Sequence, residues 1–336
     1  MNLAKIEDKL RNNFTRDKLT GLSFGMYKNG AEHFINIGTL DKENNQPVTA
    51  DTLFEIGSIT KTITASIFSI LNEKGIIDLH EPISTYLANA YTLNSNFDHI
   101  TPYRLLTHTS GLPRLPEEFL AIMDNTADPY TCIKKEHIIA YLEFGEFDKK
   151  TKYGYSNLGF GLASFLIEHI LQKDFYSVAK ELVFDKLQMN DTAVLGLNNQ
   201  LNTATGHDIF GKATPFWEMR SLPGCGCFIS SAKDMMQFLK ANIIEGYSDI
   251  SDALKKTHFS QEKKTGLAWH HPSWWLKMIG FGSFTWHNGM TGGCSSFISF
   301  SKKHQSGFVL LCNKQAMLDS YYYYLISHLR NTRHSL

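Results

Sequence analysis

The 336-residue chain has no apolar run of about eighteen residues, the length a helix needs to cross a bilayer, so no transmembrane segment is expected. It has no block of five like charges, and Lys+Arg and Asp+Glu both number 33, for a formal net charge of zero. Without a basic or acidic tract, no nucleic acid or anionic membrane surface is expected as a partner. Cysteine is scarce: Cys132, Cys225, Cys227, Cys294 and Cys312 make an odd count with no C-x-x-C spacing. That argues against a disulfide framework, and Cys225-Gly-Cys227 reads as small buried residues in a tight segment. The fourteen histidines are scattered without H-E-x-x-H or similar ligand spacing, so neither a metal nor a cofactor is expected. The first fourteen residues read as a polar amphipathic helix without the apolar centre of a secretory signal. As written, the chain is expected in the cytoplasm, or in the periplasm or outside the cell if a signal has been removed. Internal repeats are absent. The one biased tract, Tyr321–Tyr324, is expected to be a helix face packed on a sheet.

What remains is an ordinary globular composition, 43% hydrophobic, enough for one large domain or two lobes. Leu22–Gly30 and Ala31–Ile37 read as two strands joined at Asn29-Gly30, the strongest short hairpin signal. A run apolar on most sides, Ile63 to Leu71, reads as a buried helix stopped at Gly75. The middle of the chain is helical, at Leu158–Leu171 and Phe175–Leu187, and is divided by prolines. Strand signals return at Cys227–Ser230, Leu267–His270, Ser296–Phe300 and Gly307–Leu311, before a helix from about Met317 to Arg330. Strands at both ends and helices between them predict an α/β (α+β) fold, with a sheet built from both termini and an inserted helical lobe. The expected division is a single catalytic domain over 1–336, with a sheet lobe of 1–79 plus 225–336 and a helical lobe of 80–224.

Glu55-Ile-Gly-Ser58-Ile-Thr-Lys61 opens the buried helix. Residues three apart meet on one helix face, and a serine at a helix start sits among unpaired N–H groups. That arrangement supplies a nucleophile, an amine base and an oxyanion site. S-x-x-K alone is weak evidence, since it also begins at Ser177, Ser230, Ser260 and Ser299. Only Ser58 is followed by Tyr155-Ser-Asn157 and then by His287-Asn288-Gly289-Met290 ahead of a strand.

The ordered set S-x-x-K, Y-x-N and H-x-G resembles the serine β-lactamase and penicillin-binding protein superfamily, most closely its class C β-lactamase-like branch. Pro47–Gly57, Leu105-Leu-Thr-His-Thr-Ser-Gly-Leu-Pro113, Tyr155–Gly161 and Cys225–Asp234 add to the likeness, which covers roughly residues 15 to 330. It implies an antiparallel sheet flanked by helices, and a serine hydrolase forming an acyl-enzyme on an amide or ester: a β-lactam, a D-alanyl peptide or a small ester. Ser58 is then the nucleophile, with Lys61 and Tyr155 sharing one proton network. Asn157 orients Lys61 and meets a substrate amide. The backbone N–H groups of Ser58 and Met290 form the oxyanion site, and Gly289 admits substrate close to the strand. The partner is thus a small-molecule or peptide substrate. An acyltransferase of the same fold, or a penicillin-binding sensor acylated without turnover, uses the same residues.

One departure stands out. The branch's lactamases usually carry Lys at the position of His287 and Thr at that of Asn288, which puts efficient lactam hydrolysis in question. If His287 meets a substrate carboxylate, it does so as a cation only while protonated, so anionic substrates are expected to lose ground as pH rises from about 6 to 8. Trp269–Trp275 is expected to line the cleft or to fill strand core.

Overall fold

The computed structural model describes residues 2–330 apart from 44, 125–126, 150–151, 197–201, 263–264 and 279–280. Its ten strands are β1 (Gly21–Lys28), β2 (Ala31–Gly38), β3 (Leu53–Glu55), β4 (Ala193–Val194), β5 (Gly206–His207), β6 (Ala213–Thr214), β7 (Phe228–Ser231), β8 (Thr285–Met290), β9 (Ser295–Ser301) and β10 (Ser306–Cys312). The main sheet has five strands in the order β2-β1-β10-β9-β8, every neighbouring pair antiparallel. It is therefore built from both ends of the chain. Asn29 and Gly30 both have positive φ, 48° and 91°, which lets a two-residue turn join β1 to β2 without splaying them.

Alternation along the central strands divides their side chains between two cores. Phe24, Met26, Phe308 and Leu310 pack under the terminal helices Leu3–Arg16 and Asp319–Arg330. Val309, Leu311, Ile298 and Phe300 join the larger core that contains the helix Thr60–Glu73. A strand buried on both faces reads as a continuous apolar run, as β10 does. Tyr322 packs on Trp286 and Phe297, so the tyrosine run faces the sheet in part, while Tyr323 is exposed and Tyr324 OH donates to Lys5 O.

The helix Thr60–Glu73 is buried from Thr60 to Leu71 despite its polar residues. Its hydroxyls are satisfied: Thr62 donates to Ile59 O, Ser66 to Thr62 O, Thr64 to Gly224 O and Ser69 to Ala253 O. Burial without orphaned donors lets a polar-looking helix run through the centre of the protein. Gly75, at φ 68°, terminates it.

Two details differ from expectation. Leu267–His270 is not a strand, because Ala268 takes a left-handed conformation (φ 66°) and only His270 pairs, by isolated bridges to Thr265 and Trp286. Trp269 consequently enters the core against Phe238 and Phe300, while His270 lies on the outer edge of β8. The helical middle also holds β4, which joins β7 and β3 in a three-stranded sheet, and the small β5–β6 ribbon.

Candidate active site

β3 ends at Glu55, and the chain turns through Gly57 into a single 3-10 turn, Gly57–Ile59, that presents Ser58. Gly57 has φ 47°, and a Cβ there would stand 2.9 Å from Met290 N. Glycine is needed for the conformation and for the close approach of β8. Lys61, one turn on and fully buried, donates from Nζ to Ser58 Oγ at 3.0 Å and to Cys225 O at 2.6 Å. The Tyr155 ring lies 4.9 Å from Nζ and the Phe160 ring 5.6 Å, so aromatic faces cover the rest of the ammonium.

The other S-x-x-K serines are engaged elsewhere. Ser177 bonds Asp174, Ser230 bonds Thr192 and Ser299 bonds Thr285 O. The lysine of the Ser260 motif, residue 263, lies outside the described residues. Among those described, Ser58 is the S-x-x-K serine that carries its lysine on its hydroxyl.

Tyr155 sits at the meeting point of several side chains. Its ring is 4.5 Å from that of His108, 6.5 Å from that of His270 and 5.4 Å from the Arg114 guanidinium. His108 Nδ1 accepts from Ser156 N–H, which fixes the backbone next to Tyr155. Ser156 then caps the helix Asn157–Leu171 by accepting from Gly159 N–H at 2.8 Å. Asn157 does not reach Lys61 as expected. Its Nδ2 donates to Tyr130 OH at 2.7 Å, Oδ1 is buried with no protein partner, and Cys225 O holds Lys61 in its place. Tyr130 packs on Trp217 at 5.4 Å.

On β8, His287 and Gly289 are buried, and Asn288 and Met290 carry exposed side chains. A Cβ on Gly289 would fall 2.1 Å from Ile56 O and 2.9 Å from Ser58 N. The backbones around Ser58 and Met290 are therefore in direct contact. His287 sits in surroundings that favour its neutral form. Its Nδ1 lies 2.7 Å from Asn288 O, which assigns the proton to Nδ1 and leaves Nε2 a bare lone pair, buried and without a partner. Burial, then the nearby His270 and Lys61, push its pKa well below the usual histidine range. Burial likewise lowers His270 to about 4 and pushes His108 well below its ordinary value. Three neutral histidines thus surround Lys61 and Tyr155.

Tyr153, His270, Pro272, Trp274, Lys277 and Trp286 line a cavity of about 600 Å³ beside these residues. Trp274, 73% exposed, stands at its rim. The aromatic segment therefore divides, with Trp269 in the core and His270 and Trp274 at the cavity; the side chain of residue 275 lies outside the described residues. Sequence reasoning placed His270 only within the aromatic segment Trp269–Trp275 and missed Glu55 and Tyr130; Glu55 left a signal, a lone carboxylate inside the apolar Leu53–Ile56 run, whereas Tyr130 left none.

The sequence model of the Beta-lactamase family matches residues 5–327. The chain belongs to the beta-lactamase family. A beta-lactamase of Pseudomonas fluorescens is 26% identical over 88% of this chain and 89% of its own length. An unguisins hydrolase of Aspergillus campestris is 28% identical over 76% of this chain and 51% of its own. Among solved structures, a beta-lactamase/D-alanine carboxypeptidase from Pseudomonas syringae superposes with a TM-score of 0.82 at 23% identity, covering 98% of each chain. The fold is that of class C beta-lactamases. Among the described residues of this beta-lactamase-family chain, no helix is long and apolar enough to cross a membrane.

Proposed function

We propose that this serine hydrolase acylates Ser58 with an uncharged ester or amide and releases the acyl group to water. The observation that carries the reading is the 3.0 Å contact of Lys61 Nζ with Ser58 Oγ, beside Tyr155. Ser58 Oγ attacks the carbonyl, and its proton passes into the Lys61–Tyr155 network. The backbone N–H groups of Ser58 and Met290 stabilise the oxyanion. The carbonyl–heteroatom bond then breaks, and the network returns the proton to the departing amine or alcohol. Water, activated by the same network, hydrolyses the acyl-enzyme. Residues 1–336 act as one catalytic unit, with Ser58 on the sheet lobe and Tyr155 on the helical lobe.

A neutral His287 with a bare Nε2 favours a donor on the substrate over a carboxylate, which supports an ester or internal amide over a lactam or terminal D-alanyl group. The cavity lined by Trp274 and Trp286 suits an aromatic or apolar substituent. The test is a fluorophosphonate label with a panel of p-nitrophenyl esters, a chromogenic cephalosporin and a D-Ala-D-Ala peptide. Ser58→Ala should lose the label and on the order of 10³-fold or more in turnover. A label retained by that variant refutes the assignment. A burst without turnover would identify a sensor, and turnover raised by added amine or alcohol a transferase.

A further inference from the structure

Glu55 is buried three residues before Ser58, and both its oxygens are engaged. Oε2 accepts from Thr291 Oγ at 2.7 Å, and Oε1 accepts from Trp217 N–H at 2.8 Å. Thr291 directly follows Met290, and its Oγ accepts from Cys294 N–H at 3.1 Å to shape the turn that ends β8. The Trp217 ring in turn packs on Tyr130, whose hydroxyl accepts from Asn157 Nδ2. One carboxylate therefore joins the strand that delivers the nucleophile, the end of the strand that carries Met290, and the segment facing them. We propose that Glu55 is a positioning residue for acylation: its carboxylate holds the Met290–Thr291 end of β8 in register with the turn that presents Ser58. This rests on the reading of Ser58 and Met290 given under Proposed function.

Both partners donate to Glu55, so the charged form makes two charge-assisted bonds; a proton on Oε1 displaces the Trp217 N–H and one on Oε2 reverses the bond to the Thr291 hydroxyl, and either way the charge assistance is lost. The titratable groups facing it are Asp128, from the segment before the helix Lys135–Phe144, and the Cys294 thiol after the β8 turn. Burial is the largest influence and raises its pKa to about 7, with the Asp128 charge acting in the same direction. The positioning role is therefore switched on as pH rises through neutrality.

The experiment compares wild type with Glu55→Gln and Thr291→Val, each first checked for a cooperative melt. It measures kcat and KM on p-nitrophenyl acetate, the inhibition constant of phenylboronic acid as a tetrahedral adduct on Ser58, and the pH profile from 5.5 to 8.5. A charge-assisted hydrogen bond predicts a loss of about 10- to 100-fold in kcat at pH 8.5. Phenylboronic acid affinity should fall in parallel with little change in KM. The ratio of wild-type to Glu55→Gln activity should shrink toward one below pH 6, where the wild-type carboxyl is itself protonated. Thr291→Val, which removes the same bond from the other side, should reproduce the loss and stands in if Glu55→Gln does not fold. A ratio constant with pH, or a loss confined to KM with phenylboronic acid affinity intact, overturns the proposal. Fluorophosphonate labelling separates the failures: an unlabelled wild type refutes the role of Ser58, whereas labelled variants with unchanged kinetics refute only the role of Glu55.

Discussion

Gly289→Ala tests the contact on which the site depends. An added Cβ would sit 2.1 Å from Ile56 O, where ordinary contact begins at 3.4 Å, leaving a shortfall of 1.3 Å. It would also lie 2.5 Å from Ser296 Oγ and 2.9 Å from Ser58 N. Ile56 O is held by the Ser296 hydroxyl at 2.7 Å, and the other close atom is backbone, so no flexible side-chain end can swing away. The edge strand must retreat by about 1 Å, carrying Met290 N–H away from Ser58. Misplacement on that scale costs about 10²-fold in rate, and overpacking costs about 1–3 kcal/mol of stability. The assay is kcat/KM on p-nitrophenyl acetate together with a thermal melt. Gly75→Ala is the control: its φ of 68° strains an alanine but its Cβ meets open space far from Ser58, so it should lose stability and keep activity. A folded Gly289→Ala enzyme within about twofold of wild-type kcat/KM would refute the close approach as the basis of the oxyanion site.

Three further outcomes are expected. Because burial raises the Glu55 pKa from 4.5 to about 7, its contribution to stability is fully present below pH 4.5 and is lost as pH rises through about 7. The unfolding free energy of wild type minus that of Glu55→Gln should therefore fall by about 3 kcal/mol across that window in urea titrations; a difference constant with pH would show that Glu55 ionises normally. His287, its pKa depressed by burial, stays neutral from pH 6 to 8, so an anionic ester and its neutral isostere should give parallel kcat/KM profiles, and a selective fall for the anion would restore the cationic role. Activity should persist in EDTA and in reducing agent, since the five cysteines are free and no group of three or more potential ligands is placed for a metal among the described residues; a loss reversed by zinc or by oxidation would reveal a role for Cys225 and Cys227.

The elements legible in the sequence are those whose cause is local. Asn29-Gly30 makes its own turn, the Thr60–Glu73 helix is apolar on most sides, and Ser58 and Lys61 meet because of helical spacing alone. What could not be read depends on partners distant in sequence. Ala268 breaks a strand-like segment in a conformation its residue type does not advertise. Cys225 O takes the place expected of Asn157 because a backbone carbonyl carries no sequence signal. The charge on His287 follows from complete burial beside Lys61 and His270, one far upstream and the other on an irregular edge segment.

Glu55 and His287 answer the same electrostatic problem in opposite ways. Burying a charge is costly unless it is paired or hydrogen-bonded. His287, next to Lys61, sheds its proton, and its Nδ1–H is absorbed by Asn288 O. A charge on His287 would lie beside Lys61, whose own donors go to Ser58 Oγ and Cys225 O and not to a carboxylate. Glu55 retains two donors that match a carboxylate, yet burial and Asp128 make its charged form unfavourable below neutral pH. Glu55 thus contributes most to stability where it is protonated, and the clamp on β8 is complete where it is not. Such an opposition between stability and activity is expected of a group kept for function, because a packing role alone would be served better by an uncharged side chain. It follows that Glu55→Gln should gain stability at alkaline pH in the same range where it loses most activity, a pairing that a purely structural carboxylate would not produce.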